Sequence, residues 1–463
     1  MKGQFFRNFI YGTLPNFIYA LLQFVILLII PNLISVKNYG LYQIYMFYMS
    51  YITLMQFGWS EGMYVNYGGL TYRQLDRRSI ASQFKVFSGW TIFVAVLMIL
   101  IGELFFKSDM AFIVVALGIA TLLTNLRNYA NNILLATSRI AAFSLINVFG
   151  TTVNLGLVLL LLAVQQITYQ TVIIANLMAI LVSLMSLLFK TRDVLFSKPQ
   201  VVVPWQTIKH HLRRGSKILF ASLSTIIIIG IIRFFIQQAW DTATFARISL
   251  PLSFSNIMML FISSLALLVF PSLNRQNHQI ILNGFKVLQL GIKLILLSGL
   301  LAFFPLRVMI DHLIPKYTSS IQYMAIIFPA VFFQAKFEIL NTTFMKILGL
   351  EIALVKINLV SFAISFGLGV ISVYGYHNLM LAIASIIVVM ATKSILGDYY
   401  LHTKMKFSLV SQTLPEIIVV VLFIICASMS NVVIGFLSYL AIVLVLIWQK
   451  RQIIRDMYVN MRQ

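Results

Sequence analysis

Long runs of apolar residues alternate with short polar segments along the whole chain. A helix needs about 20 apolar residues to cross the hydrocarbon core of a bilayer. The pattern therefore predicts about fourteen membrane-spanning helices, of which the second lies near residues 40–61. The last two share one apolar block, residues 415–448, which is too long for one span. Because the polar segment 428–431 interrupts this block, a tight helical hairpin is predicted there.

The composition agrees with this pattern and changes what the chain is expected to do. Of the 463 residues, 60% are hydrophobic and 10% are charged, which excludes an ordinary soluble protein. The single cysteine, Cys426, excludes disulfides and cysteine-based zinc sites. There is no Walker sequence for ATP and no outer loop long enough for a catalytic domain. We therefore expect a protein that is not an enzyme and has neither a metal site nor a cofactor.

The net charge of +22 is explained by orientation in a membrane. If the amino terminus is inside, 24 of the 34 Lys and Arg residues fall in cytoplasmic segments, five in outer loops and five within spans. Cytoplasmic loops carry such an excess because of the positive-inside rule. We predict a multi-pass protein with both termini in the cytoplasm, surrounded by membrane lipids, and no nucleic acid as partner.

The longest loop divides the chain. It is basic and contains Pro199 and Pro204. We predict an N-terminal lobe of six spans (1–190), a cytoplasmic basic linker (191–216), a C-terminal lobe of six spans (217–401), and a last segment with accessory helices 13 and 14 and a cytoplasmic tail (402–463). The predicted fold class is an all-α polytopic membrane protein with about 14 transmembrane helices in two six-helix lobes plus a C-terminal helix pair.

Ionisable side chains inside the predicted spans are the candidates for function. Each costs roughly 2.5 to 3.5 kcal/mol at bilayer depth, so each needs a partner, an aqueous cavity or a function. Lys393 and Asp398 are expected at the interface, within two turns of a span end. The four deeper cations are Arg127, Arg233, Lys293 and Lys336.

For two of these cations, a helical projection shows which polar residues lie on the same face. On a helical projection, Arg127 shares one face with Thr124, Asn128 and Asn131, and such a face is not presented to lipid. It faces either an aqueous cavity or a hydrogen-bonded seam between helices. In the tenth span, Lys336 points away from Glu338. Lys336 therefore lines a cavity, reaches the interface or pairs with a neighbouring helix.

Four short stretches resemble one known family. They are residues 36–42 (Val-Lys-Asn-Tyr-Gly-Leu-Tyr), residues 57–69 up to the Tyr-Gly-Gly run, Arg233 followed by a short loop and Phe245, and residues 329–334 (Pro-Ala-Val-Phe-Phe-Gln). Together with the span pattern, they resemble Wzx-type polysaccharide flippases of the multidrug/oligosaccharidyl-lipid/polysaccharide exporter superfamily. This chain departs from the family at Asn32 and Asn66, where relatives often carry arginine. Arg127 and Arg233 therefore become the stronger candidates for basic contacts with the substrate.

The resemblance implies a function in the bacterial cytoplasmic membrane. The expected substrate is an undecaprenyl-pyrophosphate-linked oligosaccharide repeat unit for capsule, exopolysaccharide or O-antigen, moved by alternating access of two lobes. A polymerase and other glycan-assembly proteins are the expected partners. Arg127 and Arg233 are expected to contact the pyrophosphate, and the other deep cations and polar residues are expected to line a cationic cavity. The superfamily also implies coupling to a proton or sodium gradient, for which Glu338 and Glu61 are the candidates.

Three other functions remain open. An ion-coupled multidrug exporter of the same superfamily would need acidic or aromatic residues for cations. A membrane polysaccharide polymerase or ligase would need a large outer loop. A scaffold in a glycan-assembly complex would leave the cavity residues dispensable.

Overall fold

The computed structural model of the protein describes residues 2–198, 205–273, 278–405 and 408–451. All regular structure in these segments is helical, and twelve of their helices are long and apolar enough to cross a membrane. The prediction of an all-α polytopic membrane protein is thereby confirmed. Residues 199–204 of the predicted linker and the predicted tail beyond residue 451 lie outside the described residues.

The chain forms two compact units, Met1–Ile226 and Ile227–Gln463, with the boundary inside one helix. The first unit contains α1 (Lys2–Leu33), α2 (Val36–Met49), α3 (Trp59–Tyr67), α4 (Arg77–Phe105), α5 (Ser108–Ala136), α6 (Ile140–Ala163), α7 (Tyr169–Lys190), α8 (Arg192–Leu195) and the first part of α9 (Trp205–Ala239). The second unit contains the rest of α9 and α10 (Thr242–Leu273), α11 (His278–Gly299), α12 (Phe303–Leu313), α13 (Ser320–Lys336), α14 (Thr342–Ile347), α15 (Glu351–Val370), α16 (Leu379–Met405), α17 (Leu409–Ala427) and α18 (Val432–Gln449).

Several helices begin where the sequence supplies a side-chain cap. Ser35 accepts a hydrogen bond from the backbone N–H three residues on, at 3.2 Å, and Asp76 does the same at 3.1 Å. Asn431 accepts from the backbone of Val433 and Ile434 at the start of α18. Such caps satisfy N–H groups that have no partner within the helix. The break before α18 falls in the polar segment 428–431, where the hairpin is predicted.

The second predicted span is not one continuous helix. It is divided among α2, a 3₁₀ turn at Ile52–Gln56, and α3. Between the turn and α3, Phe57 and Gly58 have φ angles of 51° and 80°, in the left-handed region. A left-handed backbone ends a helix, and glycine adopts it without steric cost. Because hydropathy averages over such a break, the sequence pattern shows one span there.

The first part of α9 packs directly on α3 within the first unit. A Cβ atom added at Gly62 would lie 2.0 Å from the carbonyl oxygen of His211, and one added at Gly58 would lie 2.3 Å from the carbonyl carbon of Gly215. Only glycine allows backbones to approach this closely. Residues 205–216, which the sequence analysis assigns to the linker, are therefore helical and packed on the first unit.

The C-terminal helices pack into the core of the second unit. Phe423 of α17 contacts Phe304 and Phe328, and Tyr439 of α18 contacts the Phe304 and Phe423 rings. At the hairpin, the Arg307 guanidinium donates to the carbonyl oxygens of Ala427 and Met429 at 2.9 and 2.7 Å. These bonds satisfy carbonyl groups at the end of α17. The helix pair is an integral part of the second unit.

Candidate functional site

In the first unit, the polar face of α5 is turned toward protein. Asn125 is fully buried, and Thr124 and Asn131 are 8% and 6% exposed, whereas Asn128 is half-buried. In the described part of the chain, the Thr124 hydroxyl, both amide atoms of Asn125 and Oδ1 of Asn131 are buried without a hydrogen-bond partner. Buried polar groups normally have such a partner. This face therefore has unused hydrogen-bonding capacity for a polar ligand or water.

Arg127 lies on the same helix and is half-buried. Its Nε is buried without a partner, and no carboxylate of the described residues lies within ion-pair distance of it. Tyr19 of α1 lies near its guanidinium. The positive charge of Arg127 is therefore not neutralised by a carboxylate in the described part of the first unit.

In the second unit, Arg233 of α9 is held in place by α10. Its Nη2 donates to the Ser249 hydroxyl at 3.1 Å, and the guanidinium carbon lies 5.4 Å from the centre of the Phe245 ring. Ser249 and Phe245 are both buried. A hydrogen bond and a cation–π contact at two sides of the guanidinium restrict its orientation.

Arg233 lines a cavity within the second unit. The cavity is small, with a volume of about 30 Å³, and is partly open to solvent. Its polar lining consists of Arg233, Ser255, Asn256 and Gln334, and its apolar wall is aliphatic, formed by Ile229, Leu252, Ile327, Ala330, Val331 and Ile386. No carboxylate belongs to this lining. The chemistry of this lining therefore favours anionic and hydroxyl-bearing groups over cations.

Lys293 and Lys336 do not line this cavity and are paired with carboxylates instead. Glu416 of α17 forms ion pairs with both lysines, and Lys336 also pairs with Asp398 of α16. All four side chains are at most 8% exposed. We call these four residues the buried ion network. Of the alternatives left open for Lys336, the structure shows pairing with neighbouring helices.

Asn341 extends the network. Its Nδ2 donates to Oδ1 of Asp398 at 3.2 Å and to the carbonyl oxygen of Ser394 at 3.1 Å. A Cβ atom added at Gly397 would lie 2.1 Å from Nδ2 of Asn341. Glycine at 397 thus leaves the space that the Asn341 side chain occupies. Asp398 thus contacts Lys336, just before the π-helical turn Phe337–Asn341, and Asn341, the last residue of that turn.

Glu338 lies on this π-helical turn and is linked to the cavity. Its Oε1 accepts a hydrogen bond from Nε2 of Gln334 at 3.2 Å, and Gln334 also lines the cavity. Lys393 of α16 interacts electrostatically with Glu338 and lies 4.6 Å from the Phe337 ring centre. π-helical turns occur frequently at functional sites.

Two residues that the sequence analysis expects at the interface are in a different environment. Lys393 and Asp398 are 2% and 1% exposed, because α16 continues to Met405 and both side chains face neighbouring helices. Distance from a predicted span end does not show which residues a helix turns toward protein. Glu416 is also buried in the second unit.

Glu61, the other candidate for ion coupling, lies in the first unit on α3. Its Oε1 accepts from Nε2 of Gln56 at 3.2 Å, and its Oε2 is buried without a partner among the described residues. No group of three or more His, Cys, Asp or Glu residues in the described part of the chain is arranged to hold a metal ion.

The protein is an all-α polytopic membrane protein, and its fold is that of transporters of the MOP superfamily. The chain is similar to the lipid II flippase MurJ in an inward closed conformation, with a TM-score of 0.71 and 12% identity over 96% of this chain and 100% of that one. It is also similar to a multidrug resistance MATE family transporter in an inward-facing conformation, with a TM-score of 0.63 and 13% identity over 84% and 98%.

A third similar structure is a MOP superfamily transporter from Pyrococcus furiosus, described as having a binding pocket of reverse polarity that suggests a different function. Its TM-score is 0.53, with 12% identity over 86% of this chain and 95% of that one. The sequence matches no protein-family model and no curated protein. The similarities therefore concern the fold.

Proposed function

We propose that the protein is a flippase that moves undecaprenyl-pyrophosphate-linked oligosaccharide repeat units across the cytoplasmic membrane for surface polysaccharide synthesis. The main support is the Arg233 cavity, which combines a positioned guanidinium with amide and hydroxyl groups and has no carboxylate in its lining. A fold shared with a lipid II flippase is consistent with this proposal.

The chemistry of the substrate matches these groups. A pyrophosphate does not cross hydrocarbon unaided, and guanidinium groups bind phosphate oxygens through paired, charge-assisted hydrogen bonds. Asn256 and Gln334 would bind sugar hydroxyls in the second unit, and Thr124 and Asn131 would do so in the first. The polyprenyl tail needs no polar shelter and stays in lipid. The proposal assigns the anion to Arg127 and Arg233, because Glu416 and Asp398 already balance the two lysines.

Direct binding provides the first test. Purified full-length protein in nanodiscs should bind undecaprenyl diphosphate and not undecaprenol, which lacks the anionic group. Arg127→Ala and Arg233→Ala should each weaken binding about 10- to 100-fold, as expected for a lost charged hydrogen bond of roughly 1.5 to 3 kcal/mol. Lys356→Ala removes an exposed cation from α15 and serves as the matched control. Equal binding of the two lipids would contradict the proposal.

A cellular test follows the same logic. Depletion of the protein should leave a lipid-linked oligosaccharide on the inner leaflet. Arg127→Ala and Arg233→Ala, at normal membrane levels, should fail to restore surface polymer, whereas Lys356→Ala should restore it. Full restoration by both arginine variants would refute the assignment of these residues.

The main alternative is a multidrug exporter, because MATE transporters share the fold. A site for cationic drugs needs buried acids or aromatic faces. The Arg233 cavity offers a guanidinium and an aliphatic wall. Binding of ethidium that improves in Arg233→Ala would favour the exporter.

For ion coupling we propose Glu338, since the bond from Gln334 connects its carboxylate to the cavity lining. Intramembrane acids commonly form proton or ion pathways in transporters. Glu61 is the corresponding candidate in the first unit.

A further inference from the structure

We propose that one end of the first unit is a binding platform for the phosphate headgroups of anionic phospholipids. We call it the cationic platform, and it consists of the exposed side chains of segments 73–78, 190–198 and 209–214. The proposal does not depend on which substrate the protein moves.

The cationic platform is built on a common apolar core. Buried residues from separate segments of the chain form one cluster. They include Tyr72 and Leu75 before α4, Leu195 in α8, and Ile208 in α9. Because these residues pack together, the exposed residues beside them in sequence share one end of the first unit. Residues 205–214 belong to this end through the contact of α9 with Gly58 and Gly62.

Polar contacts hold two of the three segments, 73–78 and 190–198, together. The Tyr72 hydroxyl donates to Oδ1 of Asp193 at 2.7 Å, and Nη2 of Arg77 lies 3.4 Å from Oδ2 of the same carboxylate. The Arg139 guanidinium lies 3.6 Å from the Tyr72 ring centre. Burial and the bond to Asp193 raise the pKa of the Tyr72 phenol well above its ordinary value, so the phenol remains a donor. Segments 73–78 and 190–198 thus form an ordered surface.

The cationic platform carries far more positive than negative charge. Its exposed cations are Arg73, Arg77, Arg78, Lys190, Arg192, Lys198, Lys209, Arg213 and Arg214. The three segments contain two acids, Asp76 and Asp193. Asp76 caps α4, and Asp193 is bound by Tyr72 and Arg77. Nine cations against two acids leave an excess of seven positive charges, and the acids present are occupied within the protein.

Exposed aromatic side chains identify the complementary partner as a lipid surface. Phe189, Phe196 and Trp205 are 69%, 64% and 67% exposed, and Lys190, Arg192 and Lys198 lie between them along the chain. Aromatic rings beside Lys and Arg are typical of the membrane–water interface, where rings insert among headgroups and cations bind phosphates. A soluble acidic protein would match the cations but would leave the three aromatic side chains in water.

Native mass spectrometry of the full-length protein tests the proposal. Phosphatidylglycerol should be retained more strongly than phosphatidylcholine. The triple variant Arg78→Ala, Lys198→Ala, Arg213→Ala should weaken its retention by about fivefold for each cation removed, the factor that corresponds to roughly 1 kcal/mol per residue. The matched control Lys37→Ala, Lys107→Ala, Lys356→Ala removes the same charge from exposed positions outside the three segments and should leave retention unchanged.

A second triple variant, Arg78→Lys, Lys198→Arg, Arg213→Lys, preserves the charge and should retain phosphatidylglycerol as the original protein does. If it loses the lipid as fully as the alanine triple, charge is not the cause and the proposal fails. Equal retention of the two lipids, or equal losses in platform and control variants, would also overturn it. Displacement of phosphatidylglycerol by inorganic phosphate at millimolar concentration would identify a free-phosphate site instead.

Discussion

Replacing Glu416 by Gln tests the buried ion network most directly. The substitution preserves the size of the side chain and removes the charge shared by Lys293 and Lys336. Lys336 keeps its ion pair with Asp398, whereas Lys293 loses the carboxylate that it contacts. Removing one partner of a buried ion pair costs about 3 to 5 kcal/mol, because the remaining charge stays desolvated. The second unit should be destabilised by an amount in this range.

The assay is thermal unfolding of the purified protein in detergent, followed by the intrinsic fluorescence of its 5 Trp residues. For a unit of this size, 1 kcal/mol corresponds to about 2 to 4 °C in Tm, so Glu416→Gln should lower the apparent Tm by roughly 10 °C. Adding Lys293→Met removes the uncompensated cation. The double variant should recover most of the loss, with a coupling energy of at least about 2 kcal/mol.

Glu351→Gln is the matched control, because Glu351 is exposed at the start of α15. It should change Tm by less than about 2 °C, as is usual for surface substitutions. The reasoning is refuted if Glu416→Gln unfolds within about 2 °C of the original protein. It is equally refuted if the double variant is destabilised by the sum of the two single effects.

Three further predictions concern the sites. Ser249→Ala removes the hydrogen bond that orients Arg233 and should weaken undecaprenyl diphosphate binding about 5- to 20-fold, less than Arg233→Ala; unchanged binding would contradict the positioning role. Glu338→Gln should abolish the dependence of transport on an imposed proton or sodium gradient while substrate binding persists, measured in proteoliposomes; a normal gradient dependence would rule out coupling at this residue. Gly62→Ala should lower the apparent Tm by about 5 °C or more, because its methyl group would overlap the His211 carbonyl, whereas Gly89→Ala, at an open position, should not.

The sequence pattern predicts most of the helices and one polar face. Apolar length and the polar segment 428–431 predict the C-terminal hairpin correctly, since both properties are local. The burial of Thr124 and Asn131 on α5 follows from helical periodicity, because side chains about two turns apart share a face. The break at Phe57 and Gly58 was missed, since two residues with left-handed φ do not alter the mean hydropathy of a span.

The sequence alone does not show which acids pair with Lys293 and Lys336, and the reason is physical. Lys336 is separated by 62 positions from Asp398 and by 80 from Glu416, and no local periodicity connects residues so far apart. One signal was available, namely that Lys293 and Lys336 each require compensation at bilayer depth. Asp398 is one of the acids that could compensate these lysines, but its closeness to a predicted span end favours an interfacial position instead.

In the proposed mechanism, the lysines and the arginines inside the helices have different roles. Lys293 and Lys336 end in compact ammonium groups, which fit between single carboxylates in a closed network. Arg127 and Arg233 carry planar guanidinium groups that remain charged when desolvated and offer paired donors to phosphate oxygens. The lysine charges are balanced within the second unit, so they contribute little to binding an external anion. Anion binding in the proposed mechanism therefore requires Arg127 and Arg233, and replacing either by lysine should weaken binding although the charge is preserved.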